Sequence, residues 1–377
     1  MGIFNKIRGE KSLNKPKVIH VMPEFGLAGA EIMAETLMIE LRKRDYNVKA
    51  ISMYTYDTAI TKRLNKANIP VFFLGKKKGL DIRMILKLYK IFKNEKPDII
   101  HTHRYVMQYA IPAAVLAGVP VKVHTVHNIA TKELGKLQRR LSKVFYKVFN
   151  VIPVAISPIV KESIKKEYRI PYSRIPMVFN GIDFNKCSVK KIYNESDNSL
   201  TILHVGRFAP QKNHFDLING FYDVLKKYPS VKLKLIGIGE LEGKIKSLVN
   251  SLGISKQVDF LGCKNNVYEY MNSADIFILP SLWEGMPITI IEAMGTGLPI
   301  IASNVGGIPD MLENNKNALI IEPNSESITN ALIKFISDNE LRKRCAIQAK
   351  KDAEKMFSAN NMCSNYEKIY FENLKSM

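Results

Sequence analysis

Short apolar segments alternate with longer amphipathic ones along almost the whole chain, and this alternation limits the fold more than any single motif does. In the first half the apolar runs are KVIHVMP, NVKAISMY, PVFFL, PDIIHTH and VKVHTVH, followed by FNVIPVAIS and RIPMVFNGID after a basic helical segment. Helical periodicity fills the gaps: from the Gly26–Gly29 turn to about Arg44, up to about Lys66, over Ile82 to Asn94, and over Tyr105 to Ala117. The second half repeats the scheme with LTILHVGRF, KLKLIGIG, VDFLG, ADIFILPS, PIIAS and ALIIEP, then two helices from Ser325 onward. Strands apolar on both faces and separated by helices imply α/β architecture with parallel sheets covered on each side. Ligands of such sheets bind at the carboxyl ends of the strands. No residue-level repeat links the halves, so the recurrence lies in the pattern alone.

With 377 residues, two domains are expected. A basic tail covers residues 1–15, a first domain 16–183 and a second 184–358, with the hinge between Asp183 and Ser199 where the composition turns polar. Cys187, Cys263, Cys345 and Cys363 lack paired spacing, which suits ordinary thiols in a reducing compartment. The N-terminus has no secretory pattern, and the longest apolar stretch is interrupted by prolines, so a cytoplasmic protein is expected. Net charge is +21, yet it is one-sided: Lys and Arg outnumber Asp and Glu by 35 to 14 up to Lys190 and balance at 21 each beyond it. A field confined to one half points to a polyanionic partner there, nucleic acid or an anionic membrane. Gly75 to Lys93 and Lys136 to Phe149 interleave basic and apolar residues at helical spacing, which suits a helix lying at an interface as well as a solvated basic face.

The chemistry concentrates in SLWEGMPITIIEAMGTG, Ser281 to Gly297. Glu284 precedes a helix, Gly285 allows a tight turn, and Pro287 stands where a first helical residue would. The amides of Ile288 and Thr289 then form an anion pocket, with Glu292 about a turn and a half further on. Such a segment suits a phosphorylated sugar, although two surface carboxylates would look the same. In VGRFAPQKN, Gly206 ends a strand and Arg207 and Lys212 can hold a diphosphate and neutralise it as it leaves, or can be plain surface cations. His101, His103, His124 and His127 end two adjacent strands. His101 and His103 share a face, the odd spacing separates His124 from His127, and His127 leaves its strand toward the crevice. No carboxylates cluster with these histidines, and the chain has no Asp-x-Asp pair, so neither a histidine metal site nor a metal-bridged diphosphate is expected.

Glu284 and Glu292, preceded by ADIFILPS and followed by AMGTGLPIIASNVGGIPD, resemble the signature of glycosyltransferase family 4. VGRFAPQKN, FGLAGAE, PDIIHTH and NGID are similar to other segments of that family, and the resemblance runs from about Lys17 to the last helix. It implies the GT-B fold: two Rossmann-like domains around a central cleft, with a final helix, about 359–377, crossing back to the first. It also implies a retaining transferase needing neither metal nor cofactor, whose nucleotide-sugar donor, expected to be UDP-linked, is a substrate. By the same resemblance Arg207 and Lys212 bind the donor diphosphate, Glu284 a sugar hydroxyl and Glu292 the ribose. The backbone from Gly285 through Met286, Pro287 and Ile288 to Thr289 meets sugar and phosphates, and His127 stands beside the transferred sugar. Gly29 and Gly206 approach the phosphates, and Gly262 and Cys263 the base. Ala28 replaces a glycine common at that position. The family offers no well-placed nucleophilic carboxylate, which favours front-face attack with the departing phosphate as base. The basic first half then suits a glycan or lipid-linked acceptor drawn from an anionic leaflet, in a peripheral enzyme of cell-surface polysaccharide synthesis on the inner face of the membrane. Two alternatives are a nucleotide-sugar epimerase on the same fold and a nucleic-acid-binding protein; the basic stretches lack a stacking platform, so nucleic acid is not expected as a partner.

Overall fold

The computed structural model describes residues 15–187 and 200–376. Nearly all of the basic tail and most of the expected hinge lie outside the described residues. The first half runs β1 (Lys17–Met22), α1 (Gly29–Lys43), β2 (Asn47–Ser52), α2 (Ala59–Lys66), β3 (Val71–Phe73), α3 (Arg83–Glu95), β4 (Ile99–His103), α4 (Met107–Ala117), β5 (Val121–Val126), α5 (Ala130–Glu133), α6 (Lys136–Val148), β6 (Ile152–Ala155) and α7 (Pro158–Tyr168). The second runs β7 (Thr201–Val205), α8 (His214–Leu225), β8 (Lys232–Ile236), α9 (Glu242–Ser251), β9 (Val258–Phe260), α10 (Tyr268–Ser273), β10 (Ile276–Leu279), α11 (Ile288–Thr296), β11 (Ile300–Ser303), β12 (Leu319–Ile321), α12 (Ser325–Ser337), α13 (Asn339–Met356) and α14 (Ala359–Lys375).

Each half holds a six-stranded sheet, in the orders β3-β2-β1-β4-β5-β6 and β9-β8-β7-β10-β11-β12, and every strand pairing in both is parallel. Counted from its own first strand, each half has the same doubly wound order. The order reverses between β1 and β4 in one sheet and between β7 and β10 in the other, and the loops leaving such neighbours diverge into a crevice. Those four loops carry FGLAGAE, the end of PDIIHTH, VGRFAPQKN and SLWEGMP. Helices on both faces explain the strand composition: β4, β10 and β11 are buried along their whole length. One apolar cluster joins the halves, running from Val18, Met38 and Val154 to Phe277, Ile291 and Phe357.

Two expectations need correction. RIPMVFNGID forms no strand. Ala155 makes an isolated bridge to Met177, and Ile182 makes one to Ser358. Pro176 offers its carbonyl to Ala155 but has no N–H to extend the ladder. Three helices, not two, follow Ser325, because Asp338 and Ser358 each cap a new helix by accepting a backbone N–H on the side-chain oxygen. The last, α14, crosses back and packs on α1 and β5. Its tyrosines enter the first core: Tyr366 hydroxyl meets Thr125 Oγ1 at 2.8 Å and Tyr370 hydroxyl meets His101 Nδ1 at 2.7 Å. Arg44 ties the helix start through Asn360, Ser364 and Glu367.

Tyr370→Phe leaves His101 Nδ1 without its partner in a buried core, and should lower stability by about 1–2 kcal/mol, read from urea denaturation of the full chain.

Candidate functional site

Glu284 is buried in the crevice and held from three sides. Lys212 Nζ donates to its Oε1 at 2.6 Å, Ser281 Oγ donates to the same oxygen at 2.7 Å, and Gln211 Nε2 reaches Oε2 at 3.2 Å. Gln211 also binds the loop backbone, donating to the Trp283 carbonyl at 2.9 Å and accepting from Leu282 N–H at 2.8 Å. The loop after β7 and the loop after β10 are thereby one unit, and the carboxylate has one orientation. Arg207, on the same loop as Lys212, is exposed, and no carboxylate among the described residues forms an ion pair with it. Gly206 is crowded: a Cβ there would lie 2.9 Å from His204 Nε2 and 3.1 Å from the Lys212 side chain.

The same loop closes against the first half. A Cβ on Gly285 would lie 2.5 Å from the His127 carbonyl oxygen, so the close approach this glycine permits is to the opposite half. Ser157 Oγ donates to the Gly285 carbonyl at 3.2 Å, and Asn180 Nδ2 donates to the Met286 carbonyl at 2.9 Å. His127 therefore stands across the crevice from the Glu284 loop. Behind it, His127 Nε2 meets His103 Nδ1 at 2.9 Å, and His103 Nε2 meets His20 Nδ1 at 3.1 Å. Burial depresses the basicity of all three rings, reinforced at His103 and His127 by neighbouring rings and at His127 by Arg104. The chain of rings is neutral at physiological pH and leaves His127 Nδ1 as the nitrogen turned away from the stack. His20, His101 and His103 each bring a nitrogen within 4.8 Å of the others, near enough to suggest a metal. Both nitrogens of His101 are already engaged, by Tyr370 and Thr125, which makes the trio a packed core. His124 faces the other side of the sheet, against Thr102 and Tyr146.

Pro287 is the N-cap of α11, one position earlier than the first helical residue expected from sequence. Its φ of −71° with an extended ψ of 119° turns the chain into the helix. No acceptor among the described residues takes the amides of Ile288 and Thr289, and Thr289 Oγ1 is buried without a partner. Three unsatisfied donors at a helix start make an anion pocket. Glu292 lies deeper on this helix. Burial raises its pKa to about 7, against the hydrogen bond from Tyr268 and the charge of Lys186. On the first half, Gly29 opens α1, and a Cβ there would meet no atom within 4 Å, so Ala28 leaves the approach open at Gly29 itself. Gly262 adopts a left-handed φ of 68°, and Cys263 beside it is exposed.

Sequence reasoning missed the roles of Tyr268, Gln211, Asn180 and the histidine stack, because these depend on contacts between segments far apart in the chain, and that of Ser281, whose contact to Glu284 depends on how their shared loop folds. It also missed Glu31, whose Oε1 accepts from Arg104 Nη1 at 2.8 Å while Oε2 is buried without a partner. The spacing of His101 and His103 was the one sequence signal for the stack.

The Glu292 pKa carries a pH signature. The folded-state value exceeds the unfolded one, so the protonated form is favoured on folding, and stability falls as pH rises from about 4.5 to about 7. Glu292→Gln should remove up to about 3 kcal/mol of that fall, measured as the difference between the two proteins in urea denaturation across pH.

The model for glycosyl transferases group 1 matches residues 186–352, and that for glycosyltransferase family 4 matches residues 27–186. A UDP-Gal:alpha-D-GlcNAc-diphosphoundecaprenol alpha-1,3-galactosyltransferase of Escherichia coli is 32% identical over 77% of this chain and 78% of its own. An N-acetyl-alpha-D-glucosaminyl L-malate synthase of Bacillus anthracis is 25% identical over 93% of this chain and 95% of its own. The Anabaena HepE structure with UDP and glucose superposes with a TM-score of 0.83 at 19% identity, covering 96% of this chain and all of that one. Matching models over both halves, a relative of this identity and the shared two-sheet architecture agree: the chain belongs to glycosyltransferase family 4 and is a glycosyltransferase of GT-B fold.

Proposed function

We propose that the protein transfers a hexose or N-acetylhexosamine from a nucleotide sugar, UDP-linked, to a lipid-linked glycan acceptor, with retention and without a metal, in cell-surface polysaccharide synthesis. The observation that carries this reading is Glu284, fixed by Lys212, Ser281 and Gln211 opposite His127. A carboxylate held in one orientation accepts hydrogen bonds from sugar hydroxyls without reorganising. The anion pocket at the start of α11 and the exposed Arg207 receive the diphosphate, and Lys212, already between loop and carboxylate, neutralises the charge that develops as it departs. Glu292 binds the ribose.

On this reading the acceptor hydroxyl attacks the anomeric carbon from the face the diphosphate leaves. The new bond to the acceptor oxygen forms as the bond to the phosphate oxygen breaks, and that phosphate oxygen takes the hydroxyl proton. The cations make a divalent ion unnecessary for the leaving group. The acceptor class follows the lipid diphosphate named for the Escherichia coli relative, and a capsular polysaccharide glycosyltransferase of Staphylococcus aureus is a further relative at 23% identity. The basic first half suits attachment to the anionic inner face of the cell membrane. No helix among the described residues is long and apolar enough to cross one.

A panel of nucleotide sugars should give thermal stabilisation and acceptor-dependent UDP release with one donor, an axial or equatorial product matching the donor's anomer by NMR, and unchanged rates in EDTA. Epimerised donor without acceptor would replace this reading. Glu284→Ala should lower transfer by about a hundredfold or more while UDP affinity changes by no more than about threefold; full retained activity would remove the role assigned to Glu284.

A further inference from the structure

Among the described residues, fifteen of the twenty exposed large apolar side chains belong to the first half, and they are not scattered. On α6 they are Leu137, Leu141, Val144 and Val148, at spacings of four, three and four residues, which places them in one stripe along the helix. Leu137 is 71% exposed and Val148 65%. The opposite side of α6, Ser142, Phe145 and Tyr146, is buried against the domain. Along one flank of the stripe run Lys136, Arg140, Lys143 and Lys147, and α6 has no carboxylate. Next to α6 lies α4, and next to α4 lies α3. These add Leu116 and Leu86, and the turn before α3 adds Leu80, 77% exposed, and Ile82, among Lys77, Lys78, Arg83, Lys87 and Lys90. Leu80 and Leu137 share the rim of a cavity of about 590 Å³ that Tyr54, Lys76, Tyr105 and Gln108 also line. An exposed apolar patch of this breadth marks a docking surface.

We propose that the outer face of α6, with the turn from Gly79 to Ile82 and the exposed ends of α3 and α4, is where the protein docks on an anionic lipid bilayer. The stripe supplies apolar side chains that enter the boundary between head groups and acyl chains, and the flanking cations supply attraction to anionic head groups. Charge decides the occupant: a face with many cations, whose carboxylates Asp81 and Glu95 are already bonded to Arg83 and to Lys17 and Lys49, would repel a second copy of itself. The inference rests on the membrane part of the proposed function and names its surface. It also gives the cavity a direction, since a lipid-linked head group held at the bilayer would meet the rim formed by Leu80 and Leu137. The second half presents only Phe215, Ile238, Leu282, Ile347 and Met356 as large exposed apolar side chains among its described residues.

The full chain is sedimented with phosphatidylcholine vesicles and with vesicles containing roughly 30% phosphatidylglycerol, at about 0.15 M salt. Wild type should pellet only with the anionic vesicles. The double variant Val144→Glu and Val148→Glu, and separately Arg140→Glu with Lys147→Glu, should each lower partitioning about tenfold or more, while Ile238→Glu on the second half should not. Melting temperature confirms that each variant folds, and the charge-reversal pair carries the test if the apolar pair does not. UDP release with a water-soluble acceptor analogue should be unchanged in all of them, so loss of vesicle binding with intact transfer separates this surface from the catalytic reading. Absence of wild-type binding, or unchanged binding by both double variants, overturns the proposal. So does a dimer by sedimentation velocity that Val144→Glu and Val148→Glu dissociates without affecting vesicle binding.

Discussion

The His127 carbonyl occupies the space a side chain at position 285 would need, and much of the site depends on that contact. Only glycine lets the loop after β10 come so near the end of β5. Once there, the loop is pinned by Ser157 and Asn180 from the first half and by Gln211 from the second. Glycines repeat the device nearby: a Cβ on Gly306 would lie 1.8 Å from the Glu284 carbonyl oxygen, and one on Gly307 would lie 2.0 Å from that of Gly285. The crevice is a packed joint of backbone against backbone. Its polar side chains are held by neighbours that have no freedom to retreat.

The two halves contribute different electrostatics to this joint. The first brings neutral, buried imidazoles, stacked so that His127 is positioned by His103 and His103 by His20. The second brings cations and unsatisfied amides around a fixed carboxylate. Desolvation does the same work on both sides: it keeps the histidines uncharged and holds a proton on Glu292 to near neutrality. A charged donor entering such a site exchanges water for groups already oriented toward it.

Much of the architecture was legible in the sequence because parallel strands buried on both faces are mostly apolar, as β10 (IFIL) and β11 (IIAS) are; β4 (IIHTH) is equally buried but carries its polar residues at the end that meets the crevice. The failures have local causes. RIPMVFNGID has strand composition but meets the edge of the sheet at Pro176, which cannot donate to a ladder. Asp338 and Ser358 resemble any polar residues in a helical run until their side chains are seen accepting the next helix's N–H groups. Pro287 lies at the boundary where cap and first turn differ by one residue.

The sequence by itself determined the two α/β halves, the loops that carry Arg207, Lys212, Glu284 and Glu292, and the one-sided charge, because these follow from periodicity and residue type along the chain. Only the tertiary structure decided that Lys212 and Glu284 bond each other, that Tyr268 meets Glu292, that His103 backs His127, and that α6 turns its Leu and Val stripe outward. Each of these joins groups from different loops, or depends on which face of a helix a neighbouring element covers. Such distances are set by how sheets and helices pack and not by spacing along the chain.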